Sequence, residues 1–202
     1  VKVLLANMRA RYAAFPSALW VLHRWPGMEP STRRLITHWH VQLSDPLYRS
    51  FTAGFLVERR ARPEPTVSRA AVIRWVEGRG RTRWTHASHV QLASKLLSAA
   101  YAAGLVGSAR DPRPVTLPRV DEVALEYLLH LLREVRIEGR LADNPYLRSV
   151  GVEAGDLGPA LKRSDAIEVQ ALGGVTELHF RFPSLRAWAA ARLGIADEER
   201  AS

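Results

Sequence analysis

Arg79, Arg81 and Arg83 alternate with Gly78, Gly80 and Thr82, and His86, Ser88, His89, Gln91 and Lys95 follow directly. Arg110 and Arg113 come later, in a loop rich in proline and arginine. Guanidinium and ammonium groups bind phosphate oxygens, while serine, histidine and glutamine exchange hydrogen bonds with base edges. The chemistry these types support is therefore recognition of a nucleic acid, with Arg79, Arg81, Arg83, Lys95, Arg110 and Arg113 on phosphates and Ser88, His89 and Gln91 toward bases. His86 belongs to the same set, at the start of the helix. Ser88, Gln91 and Lys95 would equally suit an ordinary solvent face. The basic turn before them and the basic loop after them favour recognition.

Catalysis finds little footing. The chain lacks GxxxxGK[ST], GxGxxG, HExxH and GxSxG patterns, and it contains no cysteine. Asp143, Glu153 and Asp156 imitate a nuclease carboxylate cluster, but they stand beside proline and glycine where helix caps are expected. No residue is assigned a catalytic role and no cofactor is expected. His38 and His40 sit two apart, so on a helix they point away from one another and cannot share an ion. His86 and His89 could share a metal only if a third ligand arrived from elsewhere. No metal site is expected.

Presenting these residues requires a helix with a basic turn before it and a loop after it. Thr66 or Ser68 caps a short helix bearing Ala71, Val72, Trp75 and Val76. A longer helix runs from about Thr85 to Ala103, with Gly104 as its cap. Its expected buried stripe is Val90, Ala93, Leu97 and Tyr101, broadened by Leu96 and Ala100. The loop 107–114 reads as a wing and 115–117 as its returning strand. Residues 66–119 thus form a helix-turn-helix, winged-helix-like basic unit.

Residues 1–58 read as an N-terminal helical bundle. Its predicted helices carry Leu4 to Phe15, Leu19 to His23, Leu35 to Leu43 and Leu47 to Phe55, with Pro16, Pro26-Gly27 and Asp45-Pro46 between them. Arg59 to Pro65 reads as an extended, charged connector. Residues 120–202 form a C-terminal α+β unit: a long apolar helix after Asp121, short helices from Asn144-Pro145 and near 153–163, and strands 166–172 and 175–182. Gly173-Gly174 makes the hairpin turn and a last helix begins at Ser184. This layout repeats that of the middle unit. Either a second winged-helix-like unit or a small unrelated α+β domain fits, and its acidity points to protein contacts rather than DNA. The expected class is mainly α with small β-hairpins.

The net charge of +9 is unevenly spread: residues 1–58 carry +4, 59–119 carry +9, and 120–202 carry −4. A concentrated positive field points to a polyanion. The apolar run Val3–Ala6 is too short for a signal peptide, and no window approaches the roughly 20 apolar residues of a membrane span. A soluble, cytoplasmic protein is expected, and the lack of cysteine fits a reducing compartment.

The segment Trp39–Leu43 with Ser44-Asp45-Pro46-Leu47-Tyr48, the helix end through Leu92–Leu97 and Ala102–Val106, and the return Pro114–Leu117 resemble the BrxA family. These are small DNA-binding accessory proteins of BREX bacteriophage-defence islands. The resemblance is spread over about the whole chain. It implies double-stranded DNA binding without catalysis, in partnership with a methyltransferase and other phage-defence proteins. The residues leave three alternatives open: a winged-helix transcriptional regulator, a protein-interaction scaffold with a basic docking face, and an RNA-binding module.

Overall fold

Prolines and short polar side chains set the starts of the helices. Pro16, Pro30, Pro46 and Pro145 each occupy a first helical turn, where the missing amide hydrogen costs nothing. Asp45, Ser68, Thr85, Asp121, Asn144 and Ser184 accept hydrogen bonds from amides of the turns they cap. The computed structural model describes residues 12–79, 84–137 and 139–195.

The described chain is mainly helical with two small antiparallel strand pairs. Helices α1 (Pro16–Arg24) and α2 (Pro30–Ser44) come first. Next, α3 (Pro46–Ser50) passes through a π-helical segment (Phe51–Phe55) into α4 (Leu56–Arg60). Arg59 and Arg60 are therefore helical, and the expected extended connector is corrected to begin after them. The reason is local: helical geometry is barred only where Pro63 approaches, so the helix continues past Val57.

Strand β1 (Thr66–Val67), α5 (Arg69–Glu77), α6 (His86–Ala102) and β2 (Arg113–Pro114) follow. β1 pairs antiparallel with β2, and Val106 bridges Val115. The Val115 amide donates to the Pro65 carbonyl at 2.6 Å, and the Thr116 amide donates to the Leu105 carbonyl at 3.0 Å. The backbone of 113–116 thus runs between 65–67 on one side and 105–107 on the other. Helix α6 ends where Gly104 takes φ +77, letting the Leu105 amide return to the Ala100 carbonyl.

Helix α7 (Glu122–Glu134) is buried without a break from Ala124 to Leu132. After it come α8 (Pro145–Ser149), a 3-10 turn (Ala154–Asp156), α9 (Leu157–Ala160), the hairpin β3 (Ile167–Leu172) and β4 (Val175–Phe180), and α10 (Leu185–Leu193). Gly173 and Gly174 turn the hairpin at φ +58 and +79, with Ile167 opposite Phe180.

A single hydrophobic cluster runs through all of these segments. Its seam between α2 and the C-terminal segment is polar as well as apolar. The two histidines of α2 are more deeply buried than a half-buried surface role would allow. His38 meets the Tyr48 hydroxyl and the Ser149 hydroxyl, each at 2.9 Å, and His40 meets the Tyr127 hydroxyl at 2.7 Å. Burial lowers the His38 pKa to about 3 and the His40 pKa to about 4, so both rings are neutral at neutral pH. Among the described residues no helix is long and apolar enough to cross a membrane.

Candidate nucleic-acid interface

Helix α6 turns one face inward and leaves the other uncovered. His89, Ala93, Leu96, Leu97 and Ala100 are buried, and they recur at three- and four-residue intervals. This corrects the expected stripe: Tyr101 is 49% exposed and Val90 only half-buried. At about 100° per residue, the buried sector centres near Ala93 and Ala100 instead, with His89 and Leu96 on one edge. Gln91, Lys95, Ser98 and Ala102 then share the opposite sector, roughly 60° wide, and all four are exposed. Helix α5 packs Ala71, Val72 and Val76 inward and lies against α6.

Not every expected contact residue reaches this face. His89 does not face outward: it is only 9% exposed, its Nδ1 is 3.8 Å from a Glu77 oxygen, and the Trp84 ring lies 6.0 Å away. The physical reason is the rotation of the helix, which puts position 89 on the α5 side. His86 is exposed and its Nδ1 lies 3.2 Å from the same Glu77 oxygen. Glu77, at the end of α5, therefore meets the first turn of α6 through its hydrogen bond with His86, with His89 close by. Ser88 is half-buried, and its amide and hydroxyl both engage the Thr85 hydroxyl of the cap. Trp84, Ser88, Gln91, Leu92 and Lys95 line a hollow of about 260 Å³ beside the helix.

Arg79 is exposed, with its guanidinium 4.4 Å above the Trp75 ring. That contact folds the charge back onto the last turn of α5. Arg81 and Arg83 lie outside the described residues. Arg110 is exposed at the tip of the loop between residues 107 and 113, where the Ser108 hydroxyl and the Arg110 backbone close a small turn.

Arg113 is corrected from phosphate ligand to structural residue. It is 7% exposed, and its Nε donates to Asp111 at 2.8 Å. The other Asp111 oxygen accepts from the Arg69 amide at 2.7 Å. Burial alone would raise the Asp111 carboxyl; the bonds from Arg113 and the Arg69 amide outweigh it and hold the group below its ordinary range. Asp111 thus ties the loop to the start of α5.

Two acids inside a basic segment, Glu77 and Asp111, organise this surface. Sequence reasoning passed over both. Their signal was available: each stands alone among cations, Glu77 at the end of α5 and Asp111 in the loop before β2. Among the described residues, no group of three or more histidine, aspartate or glutamate side chains is arranged to hold a metal ion. Compared with protein-family models, curated proteins and solved structures, the chain matches none of them.

Proposed function

We propose that this chain binds double-stranded DNA, without a catalytic step of its own, by laying the outward face of α6 in the major groove. The observation that carries this reading is the uncovered stripe of Gln91, Lys95 and Ser98, with exposed Arg79 before it and exposed Arg110 after it in sequence. Element order supports it too. Strand, helix, connection, helix, a single bridging residue at Val106, loop tip and returning strand follow one another, and the returning chain lies between the first strand and that residue. That is the order of a winged helix, whose second helix is its reading element. A 17-residue helix is about 25 Å long, and the major groove of B-form DNA admits one, whereas the deep, narrow groove of A-form RNA does not. The resemblance to BrxA proteins would place this binding in bacteriophage defence.

The test is fluorescence anisotropy with labelled duplex DNA and duplex RNA. The wild type binds DNA more tightly than RNA, and the pair Gln91→Ala and Lys95→Gln weakens DNA binding by about tenfold or more. Equal affinity for both duplexes, or a double variant that binds as the wild type does, refutes the reading.

A further inference from the structure

A second cluster of cations surrounds the aromatic contact between α5 and the helical segment before β1. Phe51 and Phe55 stack at 5.7 Å across the π-helical segment, and Trp75 of α5 lies 5.5 Å from each. This aromatic trio joins α5 to the π-helical segment that leads into α4. Arg59, in the last turn of α4, feels the like charges of Arg62, just past that helix, and of Arg74, which precedes Trp75 in α5. Arg59 rests 5.3 Å over the Phe55 ring, as Arg79 rests over Trp75.

Arg60, between them in sequence, turns the other way: its guanidinium donates toward the carbonyls of Arg148 and Ser149. It is used up in packing, and the other three are not. Among the described residues none of Arg59, Arg62 or Arg74 forms an ion pair with a carboxylate. Arg59 is disfavoured as a cation by partial burial and then by the like charges of Arg62 and Arg74. Such an arrangement carries a repulsion that an anion would relieve. The character of the surface narrows the anion. Among the described residues the exposed large apolar side chains are Leu19, Trp84, Tyr101, Leu117, Leu172 and Val175, and none of them belongs to α4, to residues 61–65 or to α5. A protein partner would want an apolar centre to the patch. A row of phosphates wants only guanidinium forks held on a rigid base.

We propose that Arg59, Arg62 and Arg74 form a second phosphate-binding face, which grips the sugar-phosphate backbone of the same DNA duplex whose major groove receives α6. This rests on the proposed DNA binding. The face reads no sequence; it adds affinity and fixes the angle at which the helix enters.

The test compares the full chain with the triple variant Arg59→Gln, Arg62→Gln, Arg74→Gln, the matching triple Arg→Lys variant, and the Gln91→Ala, Lys95→Gln pair. Each is titrated with labelled duplex DNA over a salt series, and its thermal midpoint is recorded. The triple Gln variant should keep the wild-type midpoint or exceed it, because like charges have been removed. It should bind at least about tenfold more weakly at low salt, with the slope of log affinity against log salt reduced by about 2 to 3, and the Lys variant should restore most of that slope. If the wild type binds and the α6 pair weakens it while the triple Gln variant keeps the full slope, the second face is refuted and the groove reading stands. If the wild type binds no duplex at any salt, both are refuted.

Discussion

Arg74 and Arg192 sit on helices of adjoining segments and meet opposite surroundings. Arg74 is exposed beside other arginines, with no carboxylate partner among the described residues. Arg192 on α10 is held by Glu122 at 3.4 Å and by Glu126 at 3.2 Å. The contrast extends to the segments. In the β1–α5–α6–β2 segment the acids Glu77 and Asp111 are spent on internal joints, and most cations are left outward. In the C-terminal segment several charges are turned inward or paired: Glu126 is fully buried, accepting from the Trp188 indole at 2.8 Å as well as from Arg192, while Arg148 approaches Asp143 and Arg133 donates to the Phe182 carbonyl. Similar element orders therefore carry different work. One segment stores unpaired charge at its surface, and the other uses charge as mortar against α1, α2 and α7.

The largest effect that could break this contrast is acidification. His130, like His38 and His40, is buried, and burial lowers its pKa to about 4, with Arg133 acting in the same direction. All three fold as neutral rings and would gain a proton at about 6.5 once unfolded. The unfolded chain binds more protons between that value and about 4, so stability falls as pH falls through this window. The loss is on the order of 10 kcal/mol by pH 4, enough to unfold a marginally stable domain. Urea unfolding at stepped pH measures it. The onset should come between pH 6.5 and 5, above the carboxylate range, and a flat profile there would dissolve the idea of a neutral polar seam.

A smaller effect comes from the indole that this seam surrounds. Trp188 is fully buried, with Trp25, Tyr127 and His130 rings between 5.6 and 6.2 Å away. Trp188→Ala should cost about 3–5 kcal/mol, part of it from leaving Glu126 without its donor. Denaturant midpoints check this. A cost below about 1 kcal/mol would mean that the segment is less tightly mounted than its packing implies.

Much of the frame was legible beforehand. Proline at the first helical position, single-residue caps and the Gly173-Gly174 turn are local signals, and they placed helix starts and the hairpin within a few residues. The outward stripe of α6 was legible too, because Gln91, Lys95 and Ser98 are polar at helical spacing. The inward stripe was less so: Tyr101 is large and apolar, and only the packing of α5 shows that the helix is rotated toward His89. Long-range bonds were invisible. Asp111 reaches an amide 42 residues earlier in the chain, and His40 meets a tyrosine 87 residues later. Those bonds decide that Arg113 and the α2 histidines are structural. The arginines near residue 60 divided for the same reason, with Arg60 drawn to α8 and Arg59 left beside Arg62 and Arg74.

The most direct measurement places a photocrosslinking residue at either of two exposed positions, Gln91 on α6 or Gln170 on the β3–β4 hairpin. Each full-length protein is then irradiated with labelled duplex DNA. Crosslinking to DNA from position 91 with little or none from position 170 is the predicted result. Equal crosslinking from both, or crosslinking from position 170 alone, would contradict a reading helix in the basic segment.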